Sequence, residues 1–372
     1  MTSEVKNKPY FKLGMNYFHV NHCNDDFARN LQKCVPMVDE MPVDGNFYDC
    51  NMGCSFDLRE LFNHMLKRHF IHIWLDAASL VSPGGKKLLI AGKSSSGKST
   101  TSMALALSFN FKVLSEDITL IDPNTDAIVN FASPFSLKAG TIDLLQRTFG
   151  IELGDPYFGE WIPLGEASYG KNVQAPYDAA LLFELDKNEG FKTDPITPSD
   201  FTRHLLPYSN FVKKEGALEK FMGYLPADRC FHIVNGSLEE RIAKIGEIIG
   251  EQITKAPLVS TNAVTKREER STPAMVAWKP VKPTKKKFQR HPEVQMNLLP
   301  DGHLVLSDQA SSWAYTLTPL GSIVWEFLDG NNSEEDIVRE IQAIDEIPAI
   351  ENLQEQVTLL ISELNESGLL VD

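Results

Sequence analysis

The feature that most constrains the fold is the nine-residue segment at 92–100, which reads Gly-Lys-Ser-Ser-Ser-Gly-Lys-Ser-Thr. It fits the pattern GxxxxGK[ST] at every fixed position and directly follows the apolar run Leu88–Ala91. In such loops small residues let backbone N–H groups converge on phosphates. We therefore predict a nucleoside triphosphate site between a strand and a helix. The alternative is a chance match in a Ser/Gly-rich surface turn.

The positions of this Walker A-type loop have separate roles. Lys98 is expected to neutralise the β- and γ-phosphates, and the Ser99 hydroxyl is expected to bind Mg²⁺. The predicted nucleotide-binding residues are Gly92, Ser94, Ser95, Ser96, Gly97, Lys98, Ser99 and Thr100.

Length and composition point to a multidomain soluble protein. A chain of 372 residues suggests two or three domains, each with its own core. Its 42% hydrophobic and 23% charged residues are ordinary values for a soluble protein. The start lacks the apolar segment of a secretory signal, and no apolar run approaches the roughly 20 residues of a membrane span. We expect a cytoplasmic protein with no membrane partner.

The cysteines favour reduced, mostly inert thiols, because none of the five forms a CxxC pair. They are Cys23, Cys34, Cys50, Cys54 and Cys230. The alternative is a zinc site formed by His19 and His22 with the first four cysteines, whose spacing is irregular.

Charge is distributed unevenly along the chain. Residues 290–372 carry two basic and 16 acidic residues, a net charge of −14 that equals the charge of the whole chain. Residues 256–288 are rich in Pro and carry eight Lys/Arg against two Glu. This composition favours a solvated linker over a basic site for nucleic acid or an acidic surface.

The 92–100 loop follows a predicted β-hairpin. The segment Trp74–Val81 has the apolar composition of a buried strand, and Pro83-Gly84-Gly85 turns the chain back into Leu88–Ala91. The loop strand thus has an antiparallel neighbour just upstream. The following helix is expected over 100–108, with Met103, Ala106 and Leu107 on one apolar face.

Two adjacent carboxylates, Glu116 and Asp117, follow the short predicted strand Val113–Leu114 and precede the strand Ile118–Ile121. If the 113–114 strand lies beside the loop strand, these carboxylates emerge at the same sheet edge as the loop. One could then hold Mg²⁺ while the other accepts a hydroxyl proton. The alternative is a solvated acidic turn.

Lys138 interrupts the apolar, strand-like run 131–140. From the residues alone, a surface position is favoured over contact with phosphate.

Residues from about 70 to 140 resemble the HPr kinase/phosphorylase family and its relatives in peptide-modification systems. The resemblance depends on the hairpin, the loop, the Ser115-Glu116-Asp117 strand end and the Ser136-Leu137-Lys138 element. It implies an ATP- and Mg²⁺-dependent kinase that transfers the γ-phosphate to a Ser or Thr hydroxyl. It also implies catalytic roles for Glu116, Asp117, Lys98 and Lys138, with Ser99 and Asp117 at the metal.

Two positions depart from that family. Glu116 stands where the family usually has Asp, which adds a methylene and can displace the base by about 1 Å. The family's Leu-His-Ala-Ala pattern here reads Leu75-Asp76-Ala77-Ala78. Asp76, which takes the place of that histidine, is itself a predicted catalytic residue. Because a carboxyl group cannot act as a cation, the occurrence of the family's reverse, phosphorolytic reaction stays open.

The tail, from about 290 to 372, resembles the PqqD family, whose small domains hold the leader segments of ribosomally made, modified peptides. Three strands, three helices and a winged-helix-like arrangement are expected. The strands are at 293–299, 303–306 and 312–317, and the helices begin after Thr318, Ser333 and Asn352.

The tail's charge argues against DNA as its partner, because a module at net −14 is repelled by phosphates. An exposed strand edge can instead bind an extended peptide through backbone hydrogen bonds. The resemblance places this peptide between 312–317 and 352–366. The acidic surface also suits a ligand that carries Lys or Arg.

The combined prediction is an α/β P-loop kinase core of HPr-kinase type with a mixed sheet, plus a small α+β winged-helix-like C-terminal domain. The predicted parts are a kinase domain at 1–255, whose first 70 residues form an α+β extension, a linker at 256–288 and a PqqD-like domain at 289–372. The predicted function is phosphorylation of a Ser or Thr in a precursor peptide recruited through its leader.

Two other functions remain open. One is a nucleotide-switched scaffold that delivers the peptide to another enzyme, and the other is a small-molecule kinase or carboxykinase-like enzyme. Self-association and contacts with other peptide-maturation enzymes are also open.

Overall fold

The computed structural model describes three parts of the chain. For residues 10–51 it gives only the backbone of four short strands. Side chains are described within 72–254 and within 287–371. The exceptions are residues 132, 139, 152, 154–161, 163, 165–167, 212, 308–313, 345–346 and 348–349.

The chain forms two compact units. One contains residues 1–211 and 219–269, and the other contains residues 212–218 and 270–372. The first is built on a mixed α/β sheet and the second is a small α+β unit. Most of the predicted linker, residues 256–286, lies outside the described residues. Lys287 and Phe288, which were predicted to end the linker, instead lie in a strand, and Phe288 is buried.

The N-terminal strands form a separate four-stranded sheet with the order β3-β1-β2-β4. Their bounds are Tyr10–Leu13 (β1), Asn16–Asn21 (β2), Met37–Val38 (β3) and Asn46–Asn51 (β4). Strands β1 and β2 are antiparallel, whereas β2 and β4 are parallel. Of the residues of the alternative zinc site, His19 and Cys50 lie in these strands, where no side chain is described, and His22, Cys23, Cys34 and Cys54 lie outside the described residues.

A nine-stranded mixed sheet forms the centre of the first unit, with the order β12-β9-β8-β5-β6-β13-β15-β14 and β7 paired to β5. Strands β10 and β11 pair separately. The strands are Ile73–Val81 (β5), Lys87–Gly92 (β6), Lys112–Ser115 (β7), Ile118–Asp122 (β8), Ala127–Val129 (β9), Phe135–Ser136 (β10), Trp161–Ile162 (β11), Val173–Gln174 (β12), Ala179–Glu184 (β13), Lys192–Pro195 (β14) and Cys230–Val234 (β15).

The predicted hairpin is present, and the sheet changes direction at it. Strand β6 pairs antiparallel with β5 and parallel with β13, which in turn is parallel to β15. Strands β6 and β13 are almost continuously buried, as expected for strands covered on both faces.

Five α-helices accompany this sheet within 72–254: Lys98–Phe109 (α1), Thr141–Phe149 (α2), Pro198–Leu205 (α3), Ala217–Gly223 (α4) and Leu238–Ile249 (α5). Helix α1 begins at Lys98, two residues before the predicted start. Met103 and Ala106 of the predicted apolar face are buried and Leu107 is half-buried, but burial extends beyond that face, because α1 packs against the sheet, α2 and α5. Across the described residues, no helix has the length and apolar character needed to cross a membrane.

The second unit contains the three predicted helices, Pro319–Phe327 (α6), Glu334–Gln342 (α7) and Leu353–Glu366 (α8). Its core includes the fully buried Trp325. It has more strands than predicted, in two three-stranded sheets ordered β20-β16-β21 and β17-β18-β19. They are Lys287–Arg290 (β16), Gln295–Leu298 (β17), Leu304–Asp308 (β18), Trp313–Leu317 (β19), Asp329–Ser333 (β20) and Leu370–Val371 (β21). The missed strands are short, and β20 is polar, so they lack an apolar pattern.

Candidate functional site

The 92–98 loop, defined as the segment from Gly92 to Lys98, connects the end of β6 to the start of α1. Gly92 has a φ of 143°, and a Cβ there would lie 2.2 Å from the Phe183 carbonyl oxygen. Gly97 has a φ of 96°, and its Cβ would lie 2.3 Å from Nη1 of Arg241. Both glycines of the sequence pattern are therefore required by backbone conformation and by close neighbours.

Lys98 turns back over this loop and is only 6% exposed. Its Nζ donates a hydrogen bond to the Gly92 carbonyl at 2.6 Å. The same Nζ forms an ion pair with Asp76 Oδ1 at 3.0 Å. The predicted site residues Lys98 and Asp76 are thus in direct contact.

Sheet order explains this contact and corrects one expectation. Strand β7 does not lie beside β6, since β5 pairs with both of them. Because β5 is antiparallel to each, β6 and β7 run in the same direction and their carboxyl ends lie at the same edge. The early part of β5, which carries Asp76, lies between these ends.

Glu116 and Asp117 occupy the two-residue bend between β7 and β8. Glu116 is fully buried, whereas Asp117 is half-buried. Among the described residues, none makes a hydrogen bond of normal geometry to either Glu116 oxygen, although the Ser99 hydroxyl is close enough to lower the pKa of this carboxyl. The structure therefore places Glu116 and Asp117 with the residues of the 92–98 loop, as predicted.

Burial and nearby negative charge favour protonation of Glu116 and Asp76. Desolvation raises the pKa of Glu116 well above its usual value, and the charge of Asp117 raises it further. Desolvation also raises the pKa of Asp76, while the nearby Lys98 opposes the shift. Three carboxyl groups thus share one lysine, so the site favours binding of an additional cation.

A buried hydroxyl network, which the sequence did not reveal, supports this bend. Thr119 Oγ1 donates to the Ala77 carbonyl and lies 2.9 Å from the hydroxyls of both Ser79 and Ser115. Because a hydroxyl has one proton, Thr119 accepts from these two serines. Ser79 then accepts from the Tyr177 hydroxyl at 2.8 Å. The network links β5 to the strands on either side of Glu116 and Asp117.

Lys138 lies at the outer side of the loop. It is exposed, and its Nζ donates to the Ser94 hydroxyl at 3.0 Å and also to the Ser95 hydroxyl. Among the described residues of the run 131–140, a strand is formed only by Phe135–Ser136 (β10), so the strand-like pattern corresponds to a much shorter strand than expected. Lys138 is a surface residue that also reaches the loop, and its contact with phosphate stays a prediction.

The oxygen-rich groups suit a hard cation. Ser99, Glu116 and Asp117 offer a hydroxyl and two carboxylates, and Mg²⁺ prefers such ligands. Within the described residues, no three His, Cys, Asp or Glu side chains form a complete metal site. Mg²⁺ usually completes its coordination with waters and substrate phosphates, so an incomplete protein set still fits it.

A second candidate surface lies in the tail unit, along β19 and α8. In the described part of the unit, β19 is an edge strand that pairs only with β18. Tyr315 of β19 donates a hydrogen bond to Glu363 Oε2 of α8 at 2.8 Å. This carboxylate and partial burial raise the pKa of Tyr315 to about 12, with burial the larger cause. The contact joins the two elements between which the peptide site was predicted.

Residues 303–370 match the family model of coenzyme PQQ synthesis protein D (PqqD). Among solved structures, the chain is similar to a lasso peptide synthetase B1 complexed with the leader peptide, at 20% identity and a TM-score of 0.20, over 23% of this chain and 99% of that chain. TbiB1 in complex with the TbiA(beta) leader peptide is similar at 21% identity and a TM-score of 0.19, over 22% of this chain and 93% of that chain. The heterocyclase TruD is similar at 22% identity and a TM-score of 0.18, over 23% of this chain and 11% of that chain.

Among curated proteins, none matches the chain. The PqqD prediction is thus confirmed for residues 303–370. The resemblance of the first unit to HPr kinases stays a prediction.

Proposed function

We propose that this chain is an ATP- and Mg²⁺-dependent peptide kinase of HPr-kinase type. In this proposal its PqqD-like tail binds the leader of a ribosomally made precursor, and its first unit phosphorylates a Ser or Thr in that precursor. The observation that carries the proposal is the Lys98–Asp76 ion pair at the end of a GxxxxGK loop, with Glu116 and Asp117 beside it.

The 92–98 loop would bind the phosphates of ATP. Its glycines permit the backbone to curl around an anion, and its N–H groups lie at the start of α1, where the helix dipole also favours negative charge. Lys98 is already held at the loop by the Gly92 carbonyl. It needs only to exchange Asp76 for phosphate oxygens.

Phosphoryl transfer would follow from positioning and charge. The oxygen of the acceptor hydroxyl forms a bond to the γ-phosphorus, and the bond from that phosphorus to the β–γ bridging oxygen breaks. ADP leaves with the bond's electron pair, and the hydroxyl proton passes to a carboxylate. Lys98 offsets the negative charge of the transferred group, and Lys138 is near enough to the loop to assist.

Glu116 and Asp117, the two carboxylates of the bend, differ in their exposure to solvent. Mg²⁺, when bound, would neutralise phosphate charge, with the Ser99 hydroxyl as a ligand. The sequence analysis placed Ser99 and Asp117 at the metal. Because the Ser99 hydroxyl is close enough to the fully buried Glu116 to lower its pKa, Glu116 is favoured on the metal side. The half-buried Asp117 is then the residue that an acceptor hydroxyl can reach, and it would serve as the base.

The tail would bind the leader as an added strand. The match of 303–370 to PqqD supports this role, and β19 offers an edge whose backbone groups can pair with an extended peptide. The acidic side chains of α8, which include Glu355, Glu363 and Glu366, favour a leader that carries Lys or Arg. Specificity would come from such side-chain contacts, whereas the backbone supplies affinity.

Holding the leader raises the local concentration of the acceptor. Flexible tethers typically give effective concentrations near millimolar, so even a weakly bound acceptor would be phosphorylated efficiently. This advantage is lost when the leader is removed from the substrate. A leaderless peptide should therefore be a much poorer substrate than the full precursor.

The test uses the full chain, Mg²⁺-ATP and a precursor peptide whose leader binds to the tail, with intact peptide mass as the readout. Gain of one phosphate by the precursor supports the kinase. The Glu116→Gln, Asp117→Asn double variant should abolish this gain while peptide binding remains at its original affinity. If the precursor binds but gains no phosphate and ATP stays intact, the kinase proposal is wrong.

A nucleotide-switched scaffold is the second candidate. It is favoured by one observation: Lys98 already forms an ion pair with Asp76. Asp76 is the residue that stands where the HPr kinases have a histidine. In a scaffold, nucleotide would break this ion pair and change how the peptide is presented. It would change peptide affinity without producing phosphopeptide, which the same experiment would reveal.

A further inference from the structure

Arg241, on α5, is a buried cation in contact with the 92–98 loop. It is 5% exposed. Its Nη1 donates to the Ser96 carbonyl at 2.8 Å, and its Nε donates to the Asn235 carbonyl at 2.7 Å. The guanidinium carbon lies 4.8 Å from the centre of the Phe183 ring. A buried guanidinium needs such partners, because an unsatisfied buried charge is costly.

The bond to Ser96 fixes the orientation of one peptide group. In a trans peptide the carbonyl of one residue and the N–H of the next point in opposite directions. Since the Ser96 carbonyl points at Arg241, the Gly97 N–H points away from Arg241. A backbone N–H directed into a GxxxxGK loop is the kind of donor that holds phosphate.

Gly97 and Arg241 also share the space on this side of the loop. Any Cβ at Gly97 would lie 2.3 Å from Arg241 Nη1, so the guanidinium can approach the backbone only because the residue is glycine. The guanidinium contacts the loop through the Ser96 carbonyl. Arg241 thus acts on the peptide group.

Arg241 is anchored to the sheet on its other side. Asn235 has a φ of 55°, and its side-chain amide donates to the carbonyls of Asp186 and Glu189. Its backbone N–H donates to the Glu184 carbonyl at 2.9 Å. The ends of β13 and β15 are therefore linked through Asn235 to Arg241 and from there to the loop.

We propose that Arg241 is a positioning residue that holds the Ser96–Gly97 peptide so that the Gly97 N–H faces a bound phosphate. This inference rests on the nucleotide binding of the proposed function, but not on phosphoryl transfer or on the leader. It assigns a role in phosphate binding to a residue 145 positions away from Ser96 in the chain.

The test compares the full-length wild type with Arg241→Gln and Arg241→Lys. The Kd for Mg²⁺-ADP is measured by calorimetry at a temperature at which all proteins are folded. Arg241→Gln should raise this Kd about tenfold, because a charged hydrogen bond to the loop is lost. Arg241→Lys should recover part of the affinity, since an ammonium can still donate to Ser96. Lys244→Gln, on the same helix, is the matched control and should keep the wild-type Kd.

Hydrogen exchange of the segment 92–98 gives a readout that a purely structural role would not change. Mg²⁺-ADP should protect this segment in the wild type and in Lys244→Gln, and should protect it much less in Arg241→Gln. If Arg241→Gln lowers only the melting temperature and keeps both nucleotide affinity and protection, the inference is wrong while nucleotide binding stands. If the wild type binds no nucleotide, both the inference and the proposed function are wrong.

Discussion

Lys98 Nζ lies 3.0 Å from Asp76 Oδ1, in an ion pair whose lysine is 6% exposed and whose aspartate is 34% exposed. The lysine expected to meet phosphate therefore already has a counter-ion. Phosphate oxygens must compete with Asp76 for it, and a displaced Asp76 is left beside the carboxyls of Glu116 and Asp117. The ion pair should thus weaken nucleotide binding, because its loss is part of the binding reaction.

Asp76→Asn should tighten nucleotide binding. The amide cannot form the ion pair, so Lys98 is released and one negative charge is removed from the phosphate site. We expect the Kd for Mg²⁺-ATP to fall about three- to tenfold, a change typical of losing one competing charge. Calorimetric titration of the full chain measures it.

Asp194→Asn is the control for Asp76→Asn, because Asp194 pairs with Lys192 at an exposed position. It should leave the Kd unchanged. A weaker affinity of Asp76→Asn, with the control at the wild-type value, would instead mean that Asp76 holds Lys98 in its binding position.

Glu116→Gln should stabilise the metal-free protein at neutral and alkaline pH. The pKa of Glu116 is raised on folding, so its contribution to stability is fully present below the unfolded pKa and is lost as pH rises through the folded pKa. Glutamine at position 116 carries no charge, so the variant does not lose this stability as the pH rises. The melting temperature of the variant should exceed that of the wild type by about 2–4 °C at pH 8, and the difference should vanish near pH 4.

The control for Glu116→Gln is Glu247→Gln, whose side chain is 70% exposed. Its melting temperature should follow the wild type at every pH. The expectation fails if Glu116→Gln is less stable than the wild type at pH 8 in the presence of a chelator.

Local sequence was sufficient for part of this site. The glycines, Lys98 and Ser99 lie in one short segment, and the hairpin before them is marked by Pro83-Gly84-Gly85, so strand, loop and helix follow from nearby residues. In the tail, the Ser333 side chain caps α7 as its sequence indicates. Such features depend on neighbours within a few positions.

The remaining features depend on pairing between distant segments. Placing Glu116 and Asp117 near Lys98 requires β5 to lie between β6 and β7, and the single sequence does not specify this strand order. Arg241 gives no local signal either, because on its helix it resembles an ordinary surface arginine until Ser96 and Phe183 surround it. The same holds for the buried hydroxyl network, in which Thr119 of β8 meets Ser79 of β5 and Ser115 of β7, and Ser79 meets Tyr177 of a loop.

Lys138→Ala should impair phosphoryl transfer more than ADP binding. Lys138 reaches Ser94 and Ser95 from outside the loop, a position suited to the γ-phosphate or the acceptor rather than to ADP. We expect kcat to fall about 10- to 100-fold with the Kd for ADP within about twofold of the wild type. Lys93→Ala, which removes an exposed lysine of the same loop, is the control. An equal fall in kcat in Lys138→Ala and Lys93→Ala would indicate only a general effect of positive charge near the loop.

Glu363→Gln should weaken binding of a basic leader without disturbing the fold of the tail. Glutamine can still accept the hydrogen bond from Tyr315, so the contact between β19 and α8 is kept while the negative charge is lost. We expect the Kd for the precursor to rise about three- to tenfold at low salt, with the difference shrinking as ionic strength increases. Fluorescence anisotropy with a labelled leader measures the Kd and its dependence on ionic strength. Glu340→Gln, an exposed residue of α7, is the control, and the charge argument fails if both variants bind the leader as tightly as the wild type.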